Sequence, residues 1–501
     1  MIRQINRVTA AIVVLLLALI INLSYIQVFK AGDLRGQAGN QRVTLTEYSR
    51  ERGPILLASE AIAESTPTSD ALKYLREYPD GSTYASITGF YSLVYGATGI
   101  ESEANNILAG NDSRFFVDRL QQLFANREPK GGAIRLTIDP DAQMAAMKAL
   151  NGRTGAVVAI DPTTGAILAL ASSPSFDPNL LSSHDAGDIQ ANYEELNADT
   201  NQPLLNRPLA MTLPPGSTFK LVTAAAALES GNYVAGTELP GPTQINLPGT
   251  DVQLGNWNGK SCGPGDVTTL QAALEISCNT AFAWLGMELG ADAISEQAQK
   301  FGFESEFDVP MTAAISRFPV DPNKPQTAMS AIGQFDVRAT ALQMAMVAAG
   351  IANDGVVMNP YLISQVLGPD LTVLQNTNPS AFGRAMSVEN SKILRDMMVG
   401  VVQNGTATKA AISGVTVGGK TGTAENAPGE PAHAWFVGLA PSDQSKVAVA
   451  VVLQNGGGAT EVSGNSLAAP IAAAVMRAVL KQEARIEELV PGYAWRGTRH
   501  T

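Results

Sequence analysis

The sequence predicts an α+β protein with a smaller N-terminal domain and one N-terminal transmembrane helix, and three observations lead to this prediction. Residues 8–29 form an uninterrupted, mostly apolar run. Two pairs of apolar runs, each pair separated by a Pro-containing turn, lie far apart in the chain, near residues 156–171 and 434–454. Alanine-rich helical segments fill the chain between them. Strands at both ends with helices between them indicate one antiparallel sheet built from distant segments, with helices packed against it.

Length and composition set broad limits on fold and function. A chain of 501 residues is too long for one ordinary core, so we expect more than one domain. Hydrophobic residues make up 45% and charged residues 16%, which is typical of a folded globular protein. The formal net charge of −12 argues against nucleic-acid binding, since that would require a basic surface.

Residues 8–29 are predicted to be an uncleaved transmembrane anchor, because about 20 apolar residues suffice to cross a bilayer core. Arg3 and Arg7 precede the run, so the positive-inside rule predicts a cytoplasmic tail of residues 1–7 and places the remainder of the chain outside the cell membrane. Lys30 on the far side weakens that bias. The alternatives are a cleaved signal peptide, whose small-residue cleavage site is not evident, and a buried core helix.

The remaining chain divides into three segments. Residues 30–133 are polar and irregular and contain no catalytic constellation, so we predict a non-catalytic N-terminal domain with a short helix near residues 114–125. The Gly/Pro-rich stretch 128–132 suits a domain boundary. Residues 134–485 are predicted to be the catalytic domain, with a helix over 142–150 and hairpins over 156–171 and 434–454. Residues 486–501 are a polar tail.

The cysteines and histidines bear on redox chemistry and metal binding. Cys262 and Cys278 can form a disulfide outside the cytoplasm, although two unrelated buried thiols are the alternative. His184, His433 and His500 are scattered and have no ligand-spaced partner, so we expect no metal site.

The first candidate motif is Ser217-Thr218-Phe219-Lys220. It follows Pro214-Pro215-Gly216, a sequence that interrupts regular secondary structure. We predict a buried helix that starts at Ser217 and ends near Gly231. Residues at i and i+3 share a helix face, so Lys220 Nζ is expected to reach Ser217 Oγ. A buried lysine near another cation has a lowered pKa and can accept the serine proton. The alternative is a capping serine beside a surface-reaching lysine.

The second motif is Ser277-Cys278-Asn279, which separates predicted helices over residues 269–276 and 280–289. A capping turn is the purely structural interpretation. In the functional interpretation, Ser277 Oγ relays a proton to the leaving nitrogen, and Asn279 holds Lys220 and a substrate amide. Residues 463–465 also read Ser-x-Asn but follow the third motif, so we treat them as background.

The third motif is Lys420-Thr421-Gly422-Thr423, which follows the β-prone residues 415–417. An exposed strand edge at this place can pair with an extended peptide, and Gly422 allows a close approach. Lys420 and the hydroxyls of Thr421 and Thr423 can bind a terminal carboxylate. The alternative is an edge lysine that prevents aggregation. A serine–histidine triad would have to use His433, its only credible base.

Together the three motifs, in this order, resemble those of penicillin-binding proteins and serine β-lactamases. Residues 134–485 resemble the transpeptidase domain of class B penicillin-binding proteins, and the organisation is most similar to the actinobacterial A type. Further similarities are residues 330–334, 341–345 and 433–438 and, weakly, Arg52-Gly53-Pro54-Ile55. Phe335-Asp336 departs from the family, in which a glycine commonly follows the Gly-Gln pair.

The resemblance implies a peptidoglycan D,D-transpeptidase that needs no cofactor. Ser217 would attack the penultimate D-alanyl carbonyl of a stem peptide, and an amine of a neighbouring stem would capture the acyl-enzyme. The backbone N–H groups of Ser217 and Thr423 would form the oxyanion hole, and β-lactams would acylate Ser217. Residues 30–133 would be a pedestal-like or dimerisation-like domain. No glycosyltransferase domain is recognisable, so a membrane-embedded SEDS polymerase is the expected partner.

Two other functions remain open. The same site can end in hydrolysis, as in a D,D-carboxypeptidase or a β-lactamase. It can also belong to a β-lactam receptor or a non-catalytic cell-wall scaffold.

Overall fold

The computed structural model describes residues 2–28, 30, 48–115, 130–426 and 429–489. The first helix spans the predicted anchor and begins within the predicted cytoplasmic tail. Its stretch Thr9–Ile26 is apolar, long enough to cross a membrane and not covered by any other described part of the chain. Most of the helix predicted near residues 114–125 and most of the predicted tail lie outside the described residues.

The described helices follow in chain order: α1 Ile2–Val28, α2 Gly81–Thr88, α3 Gly99–Glu103, α4 Asn105–Leu108, α5 Pro140–Leu150, α6 Asn179–Ser182, α7 Ala186–Ala198, α8 Arg207–Ala210, α9 Lys220–Glu229, α10 Leu270–Glu275, α11 Asn279–Leu289, α12 Ala291–Lys300, α13 Lys324–Ser330, α14 Ala341–Ala352, α15 Val388–Gln403 and α16 Ala469–Leu489. Short 3-10 segments and one π turn are Ser113–Phe115, Gly216–Phe219, Pro264–Asp266, Thr408–Ala410, Gln454–Gly458 and Gly464–Ala468.

The described strands are β1 Ile55–Leu57, β2 Glu60–Pro67, β3 Tyr74–Glu77, β4 Tyr91–Ser92, β5 Gly96–Ala97, β6 Ala133–Leu136, β7 Gly155–Ile160, β8 Ile167–Ser173, β9 Glu238–Pro240, β10 Gln244–Asn246, β11 Gln253–Gly255, β12 Val267–Thr269, β13 Val356–Met358, β14 Ile363–Leu367, β15 Val373–Asn376, β16 Ala381–Arg384, β17 Gly418–Ala424, β18 His433–Ala440 and β19 Val447–Leu453.

A five-stranded antiparallel sheet, in the order β17-β18-β19-β7-β8, forms the centre of the larger domain. The two hairpins predicted from the sequence, β7–β8 and β18–β19, are confirmed, and they meet because β19 pairs with β7. Helix α14 packs on one face of this sheet, and α5 and α16 pack on the other. The central strands are therefore buried on both faces. Strand β17, which carries the third motif, lies at the edge.

A second sheet joins the N-terminal segment to the larger domain, in the order β15-β14-β6-β1-β2-β3. Strand β6 pairs parallel with β1 and antiparallel with β14, so the boundary predicted between residues 133 and 134 falls inside a shared strand. The backbones of Gly53 and Gly132 are in close contact at this junction. A Cβ at Gly53 would stand 1.7 Å from the Gly132 carbonyl oxygen. A larger residue at position 53 would separate the two segments.

Candidate active site

Residues 330–334 pack against the turn that carries Ser217 and support it. Residues Gly216–Phe219 form a 3-10 turn that leads directly into α9. The Gly216 N–H donates to the Gly333 carbonyl (2.9 Å). Both glycines have positive φ, and a Cβ at Gly333 would lie 2.1 Å from the Gly216 oxygen. Glycine is therefore required at position 333 for the turn to pack this closely.

Lys220 is fully buried one residue beyond this 3-10 turn, and its amine lies among oxygens of the second motif. Lys220 Nζ donates to Asn279 Oδ1 (2.8 Å), to the Ser277 carbonyl (2.9 Å) and to Ser277 Oγ (3.3 Å). The expected hydrogen bond from Lys220 to Ser217 Oγ is not formed among the described residues. Ser217 is half-buried. Three acceptors in the second motif hold the Lys220 amine. Lys220 therefore bonds to Ser277 and Asn279, and not to Ser217 as the sequence predicted.

Ser277 connects the two lysines. Lys420 Nζ donates to Ser277 Oγ (2.9 Å) and to the Thr421 carbonyl (2.9 Å), so one hydroxyl contacts both amines. Ser277 has a φ of 60°, in the left-handed region. Non-glycine residues in this region are often found at functional sites. The second motif also caps helix α11, as the structural interpretation expected, through Cys278, whose sulfur accepts the Ala281 N–H (3.4 Å). Capping does not account for the contacts of Ser277 Oγ with both lysines.

Lys220 and Lys420 are the charged or titratable groups that determine the electrostatics of the site. Both are fully buried, and all their hydrogen-bond acceptors in the described part of the chain are neutral oxygens. Burial lowers the pKa of Lys420 to about 7. Burial, reinforced by the charge of Lys420, lowers the pKa of Lys220 well below its ordinary value. A neutral Lys220 beside a protonated Lys420 is a base next to a cation. The complete burial of Lys420 also excludes the solvent-facing edge lysine considered from the sequence.

Strand β17 lies directly against the Ser217 turn. A Cβ at Gly422 would stand 2.9 Å from the Pro215 carbonyl oxygen, and one at Gly216 would stand 3.0 Å from Ala424 Cβ. Thr423 is exposed. Thr421 is buried, and its hydroxyl is 2.8 Å from the Thr406 hydroxyl. The three motifs thus meet at one place, at the open edge of the sheet.

Two further features hold the second motif in position. Cys278 is bonded to Cys262 with a Cα–Cα distance of 6.0 Å, which ties the motif to the preceding loop. Asn256 Oδ1 accepts the N–H groups of Asn279 (2.9 Å) and Thr280 (3.1 Å). Asn256, Thr406 and the bracing contact of Gly333 were not identified from the sequence, because nothing in the local sequence marks them as neighbours of the motifs.

The remaining candidates lie outside this constellation. His433 lies opposite Ala424 in the β17–β18 pair, and its Nδ1 accepts the Asn455 N–H (3.0 Å). Burial, with the charge of Arg338, lowers the pKa of His433 to about 4. No serine hydroxyl in the described part of the chain bonds to it, so a serine–histidine triad is not assembled. Ser463 caps the turn Gly464–Ala468. The described residues contain no cluster of side chains suited to a metal ion.

Comparison with known proteins places these features in a family. Residues 155–477 match the model of the penicillin-binding protein transpeptidase domain, and residues 52–134 match that of the penicillin-binding protein A dimerisation domain. The chain is 43% identical to the peptidoglycan D,D-transpeptidase PbpA of Mycolicibacterium smegmatis, across 96% of this chain and 99% of that protein. Identity to PbpA of Mycobacterium tuberculosis is 42%, over 96% and 99%.

Solved structures agree with these matches. The ceftriaxone acyl-enzyme complex of penicillin-binding protein A from M. tuberculosis superposes with a TM-score of 0.85 at 42% identity, covering 87% of this chain and all of that one. A D,D-transpeptidase domain from Eggerthella lenta superposes with a TM-score of 0.75 at 34% identity, covering 88% of this chain and all of that domain.

Proposed function

Because the chain belongs to the penicillin-binding protein transpeptidase family, we propose that it cross-links peptidoglycan stem peptides through an ester on Ser217 and that β-lactams inhibit it by acylating the same residue. One observation supports this function above the others: Ser277 Oγ lies within hydrogen-bond distance of both buried lysines, beside the turn that carries Ser217. That arrangement provides a nucleophile, a base, a proton relay and a cation within one site.

Acylation begins with proton removal from Ser217. Neutral Lys220 takes the hydroxyl proton as Ser217 Oγ bonds to the carbonyl carbon of the donor. In this step Lys220 Nζ gives up one of its hydrogen bonds to the second motif and forms one with Ser217 Oγ. The C–N bond then breaks, and the leaving nitrogen receives the proton from Lys220 through the Ser277 hydroxyl. An acceptor amine reverses the path: it attacks the ester, its proton returns through Ser277 and Lys220, and Ser217 is released with its proton.

The other motif residues bind and orient the donor. The N–H groups of Ser217 and Thr423 stabilise the oxyanion, since donors already in place at the developing charge lower the barrier most. Lys420 as a cation and the exposed Thr423 hydroxyl bind the terminal carboxylate, and Thr421 orients that end of the strand through Thr406. The donor pairs with the free edge of β17 as an added strand.

The position of the chain in the cell follows from α1. We propose that residues 8–29 are a single-pass anchor, with residues 1–7 in the cytoplasm and the catalytic residues 134–485 outside. Residues 30–133 then form the non-catalytic domain beside the membrane. A SEDS-family polymerase is the proposed partner that supplies the glycan strands to be cross-linked.

A partition experiment tests the function. The purified chain is given a thioester donor with and without a D-amino acid acceptor and is separately labelled with a fluorescent penicillin. We expect long-lived labelling and more aminolysis than hydrolysis, with Ser217→Ala as the unlabelled control. Rapid loss of label would instead indicate a β-lactamase. Donor hydrolysis that the acceptor does not divert would indicate a carboxypeptidase, and labelling without donor turnover would indicate a receptor or scaffold.

The lysine pair predicts a specific pH dependence. Since burial lowers the pKa of Lys420 to about 7, its carboxylate-binding charge is present below that pH and is lost above it. The second-order rate of acylation by penicillin should therefore fall above about pH 7. Lys420→Arg keeps its charge at all accessible pH values, so its alkaline limb should disappear. The same alkaline limb in Lys420→Arg, with an unchanged melting temperature, would contradict this assignment.

A further inference from the structure

A cluster of buried charges in the N-terminal segment has one more cation than it has anions. Arg52 and Arg76 are both buried, and each bonds to the carboxylate of Glu101 (2.6 Å). Among the described residues, no other carboxylate bonds to either guanidinium group. Two buried cations therefore share one buried anion. Because a buried charge without a counter-charge is costly, the cluster favours a further anion beside it.

A small cavity adjoins this cluster, and two donors without partners belong to its walls. The cavity has a volume of about 10 Å³ and is lined by Tyr48, Arg50, Arg52, Ser65, Tyr74, Arg76 and Tyr91. Arg76 is 2% exposed and Tyr48 is 4% exposed. Neither Arg76 Nη2 nor the Tyr48 hydroxyl has a hydrogen-bond partner among the described residues. Buried donors are rarely left unpaired, so two of them in the walls of one cavity indicate a position suited to an acceptor.

The surroundings of Tyr48 keep its hydroxyl in place as a donor. The Tyr48 ring stacks on Tyr91, with 4.7 Å between the ring centroids. The Arg52 guanidinium lies over the Tyr91 ring, 4.2 Å from its centroid. The two rings therefore fix Tyr48 beside the charged cluster. Burial raises the pKa of Tyr48 well above its ordinary value, so the hydroxyl keeps its proton.

The size and charge of the cavity determine which kind of ligand suits it. A volume of about 10 Å³ is close to the least that holds one water-sized sphere, so sulfate and phosphate ions are too large. The described walls contain three arginines and no carboxylate. A water molecule could accept from both donors but would leave the extra positive charge uncompensated. An anion of one atom does both.

We propose that this cavity binds a chloride ion, which accepts hydrogen bonds from Arg76 Nη2 and the Tyr48 hydroxyl. The ion places a negative charge beside the buried cluster of Arg52, Arg76 and Glu101. Arg76 Nη1 also donates to the Gly53 carbonyl (3.0 Å), and Gly53 packs against Gly132 where the two domains join. Chloride therefore stabilises the fold at this junction. The inference does not depend on the proposed function, since it uses no residue of the candidate active site.

Thermal unfolding of the full chain in detergent tests the proposal at constant ionic strength. Sodium gluconate is replaced stepwise by sodium chloride, by sodium bromide or by sodium methanesulfonate, whose anion is too large for the cavity. We expect the melting temperature to rise and saturate with chloride and bromide and to stay level with methanesulfonate. The chloride concentration at half-saturation measures the affinity.

Two tyrosine variants connect this response to the cavity. Tyr48→Phe keeps the ring and removes one donor to the ion, so half-saturation should require about tenfold more chloride. Tyr233→Phe removes a hydroxyl outside the cavity, after helix α9, and should respond to chloride as the wild type does. A chloride response that Tyr48→Phe leaves unchanged, or that Tyr233→Phe weakens equally, would overturn the proposal.

Anomalous diffraction from crystals grown in sodium bromide locates the ion directly. We expect a bromide peak within contact distance of Arg76 Nη2 and the Tyr48 hydroxyl, and this measurement decides the question if Tyr48→Phe does not fold. Crystals without a bromide peak in this cavity would show that the two donors bind water instead. A wild-type melting temperature that responds equally to all three anions would likewise overturn the proposal, because it would indicate general salt screening.

Discussion

Replacing Lys220 with methionine is expected to slow acylation of Ser217 by a factor of about 10²–10⁴, the usual contribution of a general base. Methionine has a similar length and no proton acceptor. It also leaves Asn279 Oδ1 and both Ser277 oxygens without the amine that now bonds to them. The measurement is the rate of labelling by a fluorescent penicillin, followed under pseudo-first-order conditions.

Two further variants separate proton transfer from charge. Lys220→Arg keeps a cation with several donors but cannot accept a proton, so its loss should match that of Lys220→Met. Lys409→Met, at an exposed lysine on the 3-10 segment Thr408–Ala410, should label at the wild-type rate. A Lys220→Met protein that labels within tenfold of wild type would show that another group accepts the Ser217 proton.

Replacing Glu101 with alanine is expected to lower the free energy of unfolding by about 3–5 kcal/mol, the usual effect of removing one partner from a buried ion pair. Glu101 is fully buried between Arg52 and Arg76, with N–O distances of 2.6 Å to each. Burial alone raises the pKa of the Glu101 carboxyl. The charges of Arg76 and Arg52 more than offset this effect and lower the pKa below its usual value. Without Glu101, two buried guanidinium groups would lack a counter-charge.

Denaturant unfolding of the purified chain measures this effect. Glu101→Gln should be nearly as damaging as Glu101→Ala, because the missing charge matters more than the missing volume. Glu103→Ala, an exposed position on the same helix α3, should stay within about 0.5 kcal/mol of wild type. If Glu101→Gln were as stable as wild type, hydrogen bonding rather than charge would hold the cluster together.

Local sequence was sufficient to predict several parts of the protein. The apolar run of residues 8–29 predicted a helix long enough to span a membrane, and α1 covers it through Val28. Alternating turns and apolar runs predicted β7–β8 and β18–β19. The three motifs identified the residues that meet in the candidate site. These predictions succeeded because helix length, hairpin turns and motif spacing are properties of neighbouring residues.

Only the tertiary structure determined how distant segments combine. It placed β14 and β15 in the sheet of the N-terminal segment, bonded Lys220 to Ser277 and Asn279 rather than to Ser217, and brought Asn256 under the second motif. It also gave Phe335 a φ of 60°, in the left-handed region. Sheet order, buried hydrogen bonds and strained loops depend on which segments come into contact across the chain, and residue order alone does not specify those contacts.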